Sequence, residues 1–389
     1  MGVKGGGPAS RGASEVLDAE YDTVIDYLQH YEAAHGVKLP VRYDLCVCAS
    51  KGRAGHEATE VADWIGYLPE RGDEHKDAYQ LAHPVTAISD DGSAVTPSIL
   101  EQVFENVKES GLYLIEHCEH HDTGAVNDGP VSRKLGVPGI PEDTELKIVE
   151  RDIDMSRKTG VHVHFQHVST AISFDAIRKA KAEGLPITCE TAPHYIALND
   201  EALLKYGTLA KMNPPLRSEA DRQATIAAVA DGTVDCGHRP CAPHHGREGT
   251  RLPRRAQRHH RAGMRIRRLP QGTCRRRIHF RRTSHRTHVH RSGRTHGPRQ
   301  NGITAVLDDY ADAVPGDDDT KRVLDLGRVP ESDQVDLVVL NTGEEWTVDP
   351  EKFHSSARNT PFGGWQVTGR PLATIIGSKL AFSRIDKED

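Results

Sequence analysis

The chain has 389 residues, 37% of them hydrophobic and 27% charged, which is enough for one large domain and a small one around a sizeable core. It has no apolar run of about 18 residues, which excludes a membrane-spanning helix, and its Gly-rich start lacks the apolar stretch of a secretory signal. With a net charge of −6 and 7 scattered cysteines, an odd number, it fits a reducing cytoplasm better than a disulfide framework, so a cytoplasmic protein is expected.

Residues 1–15 read as an atypical leader and residues 16–236 as one repeating βα unit. Within that unit the β-branched runs 41–48, 84–89, 112–117, 161–166 and 186–190 read as strands. Between them, 99–108, 146–158, 174–182 and 221–230 carry apolar residues at i, i+3 and i+4, the spacing of amphipathic helices. Gly111, Gly160 and Gly184 each stand just before the next strand, where a helix C-cap is expected. Repeated βα units predict a parallel sheet, either open and doubly wound or closed as a barrel, and periodicity fits both.

Residues 237–301 break this pattern. Positions 237–300 hold 19 arginines, no lysine and a single acid, Glu248, whereas the rest of the chain is acidic. Runs such as Arg275-Arg276-Arg277 come without apolar periodicity, so the stretch is expected to pack poorly. Order resumes near Ile303 in the unit 302–389. There the apolar run 335–340 reads as a buried strand, and 361–382, with its Gly and Pro punctuation, as a small β-rich module.

Four clusters read as strand ends: Ser89-Asp90-Asp91-Gly92, His117-Cys118-Glu119, Gln166-His167-Val168-Ser169-Thr170 and Lys211-Met212-Asn213-Pro214-Pro215-Leu216-Arg217. In a parallel barrel the C-terminal strand ends converge on one rim. Imidazoles and carboxylates gathered there suit a divalent metal that generates hydroxide near neutral pH. Plainer readings stand beside this one. Asp91 also fits a turn residue before Gly92. A single histidine such as His117 is more often a hydrogen-bonded structural side chain than a ligand. His162 and His164 alternate with Val161, Val163 and Phe165 and so share one strand face, while His167 at the strand's end is better placed as a ligand. The joint arrangement favours a site.

Taken in order, these clusters resemble the dihydroorotase family of bacterial pyrimidine synthesis. Ala192-Pro193-His194-Tyr195, the stretch from Ser132 to Pro141, and Asn359-Thr360-Pro361-Phe362 extend the likeness over roughly residues 16–236 and 302–385. The resemblance implies a TIM-like (β/α)8 metal-dependent hydrolase barrel, incomplete here, with a small C-terminal β module. It implies a two-metal zinc site in which Asp91 is the bridging carboxylate, His117 and His167 bind the second metal, and Asn213 touches substrate. It also implies the reversible cyclisation of N-carbamoyl-L-aspartate to L-dihydroorotate, with metal-bound hydroxide attacking the ring carbonyl and an aspartate shuttling the proton. Related hydantoinases and allantoinases usually bridge their metals with a carboxylated lysine, so Asp91 favours dihydroorotase over them, as does Met212-Asn213-Pro214-Pro215.

The sequence departs from the family pattern in two places. The His-x-His pair of the first metal and the arginine for the substrate carboxylate are not found, the recognisable sequence beginning near Val16-Leu17-Asp18. The family's Ala-Thr-Asp-His-Ala-Pro-His motif should follow Asp235-Cys236, where Gly237-His238-Arg239-Pro240-Cys241-Ala242-Pro243-His244 stands instead. Back-translated and read one nucleotide later, those residues can give the full motif. The same shift turns Gly246 to Arg251 into Ala-Glu-Lys-Ala-Arg. The expectation is therefore that 237 to about 301 is translated out of frame. No catalytic residue is then intact: the proton-shuttle aspartate is absent near Arg239. One metal keeps all three protein ligands and the other only Asp91. Little or no activity is expected of the chain as it stands. Two alternatives are a non-catalytic subunit partnering aspartate carbamoyltransferase and a hydantoinase- or allantoinase-type enzyme. A nucleic-acid-binding arm is the poorer reading of 237–300, because it interrupts a barrel and has Phe280 as its only aromatic residue. No membrane partner is expected.

Overall fold

The computed structural model describes residues 24–37, 39, 43–68, 83–90, 92, 94–119, 124–235, 311–313, 322–324, 337–376 and 379–384. Asp91, the leader 1–15 and the whole of 237–301 lie outside the described residues. Two short helices, α1 (Val24–Gln29) and α2 (Tyr31–His35), precede β1 (Leu45–Val47), β2 (Val85–Ile88), α3 (Leu100–Ser110) and β3 (Tyr113–His117). There follow β4 (Val126–Asn127), α4 (Pro130–Leu135), β5 (Gly139–Ile140), α5 (Asp143–Thr159), β6 (Val163–Gln166), α6 (Ala171–Ala182) and β7 (Ile187–Cys189). Helices α7 (Pro193–Ala197), α8 (Ala202–Tyr206) and α9 (Glu219–Asp231) come next. The later part holds β8 (Ala311–Ala313), β9 (Arg322–Leu324), β10 (Leu337–Thr347), β11 (Gln366–Ile376) and β12 (Lys379–Ser383).

The main sheet runs β1-β2-β3-β6-β7, every neighbouring pair parallel. This order follows the chain without reversal. An open doubly wound sheet reverses at a switch point, and none occurs among these strands. The winding is that of a barrel wall, which resolves the choice that periodicity left open.

Both faces of the sheet are buried. Leu114, Val163 and Phe165 face the helices and join one core with Phe104, Val149 and Phe174. On the other face Ala87, Tyr113 and Ile115 form a smaller cluster. Burying each large side chain contributes about 1.5–3 kcal/mol, so this double layer is the main source of stability in this part of the chain. Helices α3 and α5 end on Gly111 and Gly160 with φ of +69° and +75°. This left-handed backbone would strain any residue with a Cβ, so the glycines predicted as caps turn the chain back into β3 and β6. Gly184 also has a positive φ, +83°, but Glu183 is the capping residue of α6. Helix α5 starts three residues before the apolar pattern does, because its first turn is polar and is fixed by tertiary hydrogen bonds.

The C-terminal β-rich module is present as the antiparallel sheet β10-β11-β12. One expectation is corrected: the run read as a buried strand is exposed. Val338, Val339 and Leu340 on β10 are 55%, 41% and 52% exposed, and residues 335 and 336 lie outside the described residues. An apolar run is buried only where another layer covers it, and no described helix packs on this part of β10. The module is joined to the rest through Phe362 and Trp365, which pack against the α7–α9 region. Trp365 Nε1 donates to the Tyr206 hydroxyl at 3.1 Å. Among the described residues no helix is long and apolar enough to cross a membrane.

Candidate functional site

Parallel strands deliver their C-terminal residues to one rim. Strand β3 ends on His117, with Cys118 and Glu119 next. Strand β6 ends on Gln166, and the following residue, His167, has a φ of +35°. Few residues other than glycine enter this region, and such strain concentrates at functional positions. The Lys211–Arg217 cluster, read as a strand end, is corrected: Asn213 arrives from the connection between a 3-10 turn (Gly207–Ala210) and α9, because no described strand precedes it there.

These residues meet. His117 Nδ1 lies 2.8 Å from His167 Nε2, the two rings inclined at 84°. His117 Nε2 is 2.9 Å from Glu119 Oε2, and Asn213 Nδ2 donates to the same oxygen at 2.7 Å. An ionised carboxylate only accepts, so His117 carries its proton on Nε2. In a neutral ring Nδ1 then accepts from His167 Nε2–H. The line Asn213–Glu119–His117–His167 runs from an exposed amide through the His117 ring, only 4% exposed, to the half-buried His167, so its Asn213 end faces arriving solutes.

The donor chemistry fits a divalent metal. Two imidazole nitrogens converge on one point, and a carboxylate behind His117 raises the basicity of that ring as a ligand. Within the described residues the cluster stops at this pair: no group of three or more His, Cys, Asp or Glu able to hold a metal is found among them. Asp91 cannot be added to the pair because it lies outside those residues.

Its neighbour Asp90 is held firmly. Ser50 N donates to Asp90 Oδ1 at 3.0 Å and Ser50 Oγ to Oδ2 at 2.5 Å, tying the loop after β1 to the end of β2. Beyond the turn, Val95 N donates to Glu116 Oε1 at 2.8 Å, and the Val95 carbonyl accepts from Arg151 Nη1. Burial pushes the Glu116 carboxyl well above the usual carboxylate range, with Asp152 adding to the shift and Arg151 opposing it. Asp152 is also pushed up by burial, against the two hydrogen bonds that Arg151 gives it. This cluster pins the segment after Gly92 to β3 and α5.

Cys118, between His117 and Glu119, is no nucleophile. Burial above all, then the charges of Glu145 and Glu116, pushes its thiol well up, and an un-ionised thiol is unreactive. His162 and His164 do share one strand face, and both bond Thr188 Oγ1, at 2.8 and 2.9 Å. Burial, helped by His164 and Lys181, pulls the His162 pKa down to about 3, so this ring is neutral. The pair lies inside the sheet, below the rim that His117 and His167 occupy.

Tyr195, from the Ala192–Tyr195 motif, donates its hydroxyl to the Pro214 carbonyl at 2.6 Å and so steadies the segment after Asn213. Burial pushes that phenol well up, leaving it a donor. Glu119 is the site residue to which sequence reasoning gave no role. Its only signal was its position two residues beyond His117.

No family model matches the chain. It is similar to a dihydroorotase from Citrifermentans bemidjiense, 31% identical over 344 residues that cover 86% of this chain and 70% of that protein. A dihydroorotase from Anaplasma phagocytophilum is 32% identical over 314 residues, 76% of this chain, and the chain spans 61% of the length of that relative. Among solved structures, the L-hydantoinase (dihydropyrimidinase) of Arthrobacter aurescens matches 92% of this chain and 74% of its own length with a TM-score of 0.53 at 15% identity. That likeness shows the fold alone.

Proposed function

The chain belongs to the dihydroorotase family, and from that membership we propose that it acts on the ring amide of L-dihydroorotate, closing N-carbamoyl-L-aspartate with loss of one water and reopening the ring by adding one. The observation that carries the proposal is the convergence of His117, His167, Glu119 and Asn213 at one rim. His117 and His167 would hold a divalent ion, which we take to be zinc, together with Asp91. When bound, such an ion supplies hydroxide near neutral pH and polarises a carbonyl. Glu119 orients the His117 ring and fixes its tautomer. Asn213, at the exposed end of the line, is positioned to exchange its bond to Glu119 for one to substrate. De novo pyrimidine synthesis as the pathway and the cytoplasm as the location belong to the same proposal.

For the 389-residue chain as it stands we propose little or no turnover. Gly237 to His244 replaces the family motif that carries the proton-moving aspartate, and general acid–base catalysis is worth about 10²–10⁴-fold. The test compares hydrolysis of dihydroorotate, with zinc present, by this chain and by one restored at both departures, in reading frame across 237–301 and with the family's His-x-His pair and substrate arginine supplied. The restored chain should be faster by about two orders of magnitude or more. A restored chain inert on dihydroorotate yet active on hydantoins would replace this reading with the hydantoinase one. The same departure favours a second reading for the unrestored chain, a non-catalytic subunit of an aspartate carbamoyltransferase assembly. Co-purification with that enzyme would support it, and a monomer indifferent to it would not.

A further inference from the structure

Glu145, the third residue of α5, is fully buried at 0% exposure, and its carboxylate is saturated. Oε2 accepts from Ser169 N at 3.0 Å and Ser169 Oγ at 2.6 Å; Oε1 accepts from Thr170 N at 3.0 Å and Thr170 Oγ1 at 2.7 Å. All four donors belong to the two residues that follow His167-Val168. Val168 N itself donates to the Glu190 carbonyl at 2.9 Å, so the backbone N–H groups of 168–170 are fully accounted for. His167 stands at the head of this turn at φ +35°, a conformation that persists only where the surroundings over-determine it. A second connection leaves the same turn. Arg217, only 4% exposed, donates from Nε to Ser169 Oγ and from Nη1 to Asn127 Oδ1, both at 3.2 Å. Leu216, between Arg217 and Asn213 in the chain, is fully buried in the apolar cluster that also holds Tyr195 and Ala210.

We infer that Glu145 is a positioning residue that holds the His167 turn in its ligand-presenting shape and couples it, through Ser169 and Arg217, to the segment bearing Asn213. The role as a positioner of a metal ligand rests on the proposed function above. A carboxylate offers lone pairs to all four donors. Glutamine has the same size but turns an NH2 group toward two of them, so the turn cannot keep its shape. A carboxylate also suits this place in the first turn of α5, where the helix dipole is positive.

The test uses the full chain. In the metal-free protein the ring nitrogens of His167, assigned with His167→Asn, report the hydrogen bond to His117 by nitrogen NMR. Glu145→Gln should lose that signature while keeping native circular dichroism, and zinc affinity should fall about ten- to hundredfold, the usual cost of losing a residue that orients a ligand. Ser169→Ala, which removes a single hydroxyl and with it the bond from Arg217, should shift both readouts in the same direction by less. It keeps the test decisive if Glu145→Gln does not fold. Ser156→Ala removes an equally buried bond on the same helix, to the Val161 carbonyl at 2.7 Å. It should lower the melting temperature and move neither readout. A folded Glu145→Gln or Ser169→Ala chain with the wild-type ring signature overturns the inference. A wild-type chain that binds no zinc overturns the dihydroorotase reading instead, while the metal-free ring signature still decides the role of Glu145.

Discussion

His117 and His167 stand 50 positions apart in the chain, yet Nδ1 of one is 2.8 Å from Nε2 of the other. The register of the sheet explains this. In the parallel pair β3 and β6, His117 sits opposite Gln166, so His167 is one residue past its partner, where β6 has ended and the backbone is free to turn. The positive φ at His167 completes the turn and faces its ring toward His117.

If the two rings are metal ligands, His117→Ala and His167→Ala should each weaken zinc binding by at least about a hundredfold, more than is typical of residues that only orient a ligand. Calorimetric titration of the purified chain measures this. Zinc affinity within tenfold of wild type in both variants would sink the assignment.

Asn213 lies at the exposed end of the site, so its effect should fall on binding. In the chain restored at both departures Asn213→Ala should raise KM for dihydroorotate by roughly tenfold, the worth of one hydrogen bond to a charged group, with a smaller change in kcat. Steady-state kinetics decide it, and a fall confined to kcat would contradict the role.

Phe165 has 0% exposure and lies between the helix layer and the sheet. Phe165→Ala should destabilise the chain by about 3–5 kcal/mol, because the cavity left in a two-sided core cannot collapse. Urea unfolding with an unchanged slope is the measurement. A loss under about 1 kcal/mol would mean that the core is packed otherwise.

His162 is held near a pKa of about 3 by burial, against 6.5 for a free imidazole. Between those values the unfolded chain takes up a proton that the folded chain refuses. Stability therefore falls as pH drops below about 6.5, at up to about 1.4 kcal/mol per pH unit from this one group, until about pH 3. His162→Gln should flatten that part of the stability–pH curve. Parallel curves for the two proteins from pH 7 to pH 4 would refute the assignment.

Much of this was legible in the sequence. Strands end where their apolar alternation ends, so 84–89 was read within a residue of Val85–Ile88 and 112–117 within one of Tyr113–His117. Because parallel strands bring their C-terminal ends together, the order of the motifs was enough to group His117 and His167; Asn213 reaches them from a connection before α9, not from a strand end. The roles of Glu119 and Glu145 were not legible. Each depends on a contact with a distant segment, Glu119 with Asn213 and Glu145 with Ser169, and neither leaves a local pattern. The exposed apolar run of β10 misled for the related reason that a strand's sequence does not say what covers it.

One oxygen, Glu119 Oε2, serves both His117 and Asn213. A substrate that draws Asn213 away leaves more of that oxygen's negative charge to His117, and a more basic imidazole grips a cation harder. Ion and substrate would thus help each other to bind, and thermodynamic reciprocity makes the help equal in both directions. Dihydroorotate would tighten zinc by the same factor by which zinc tightens dihydroorotate, and losing the Glu119 carboxylate would decouple the two.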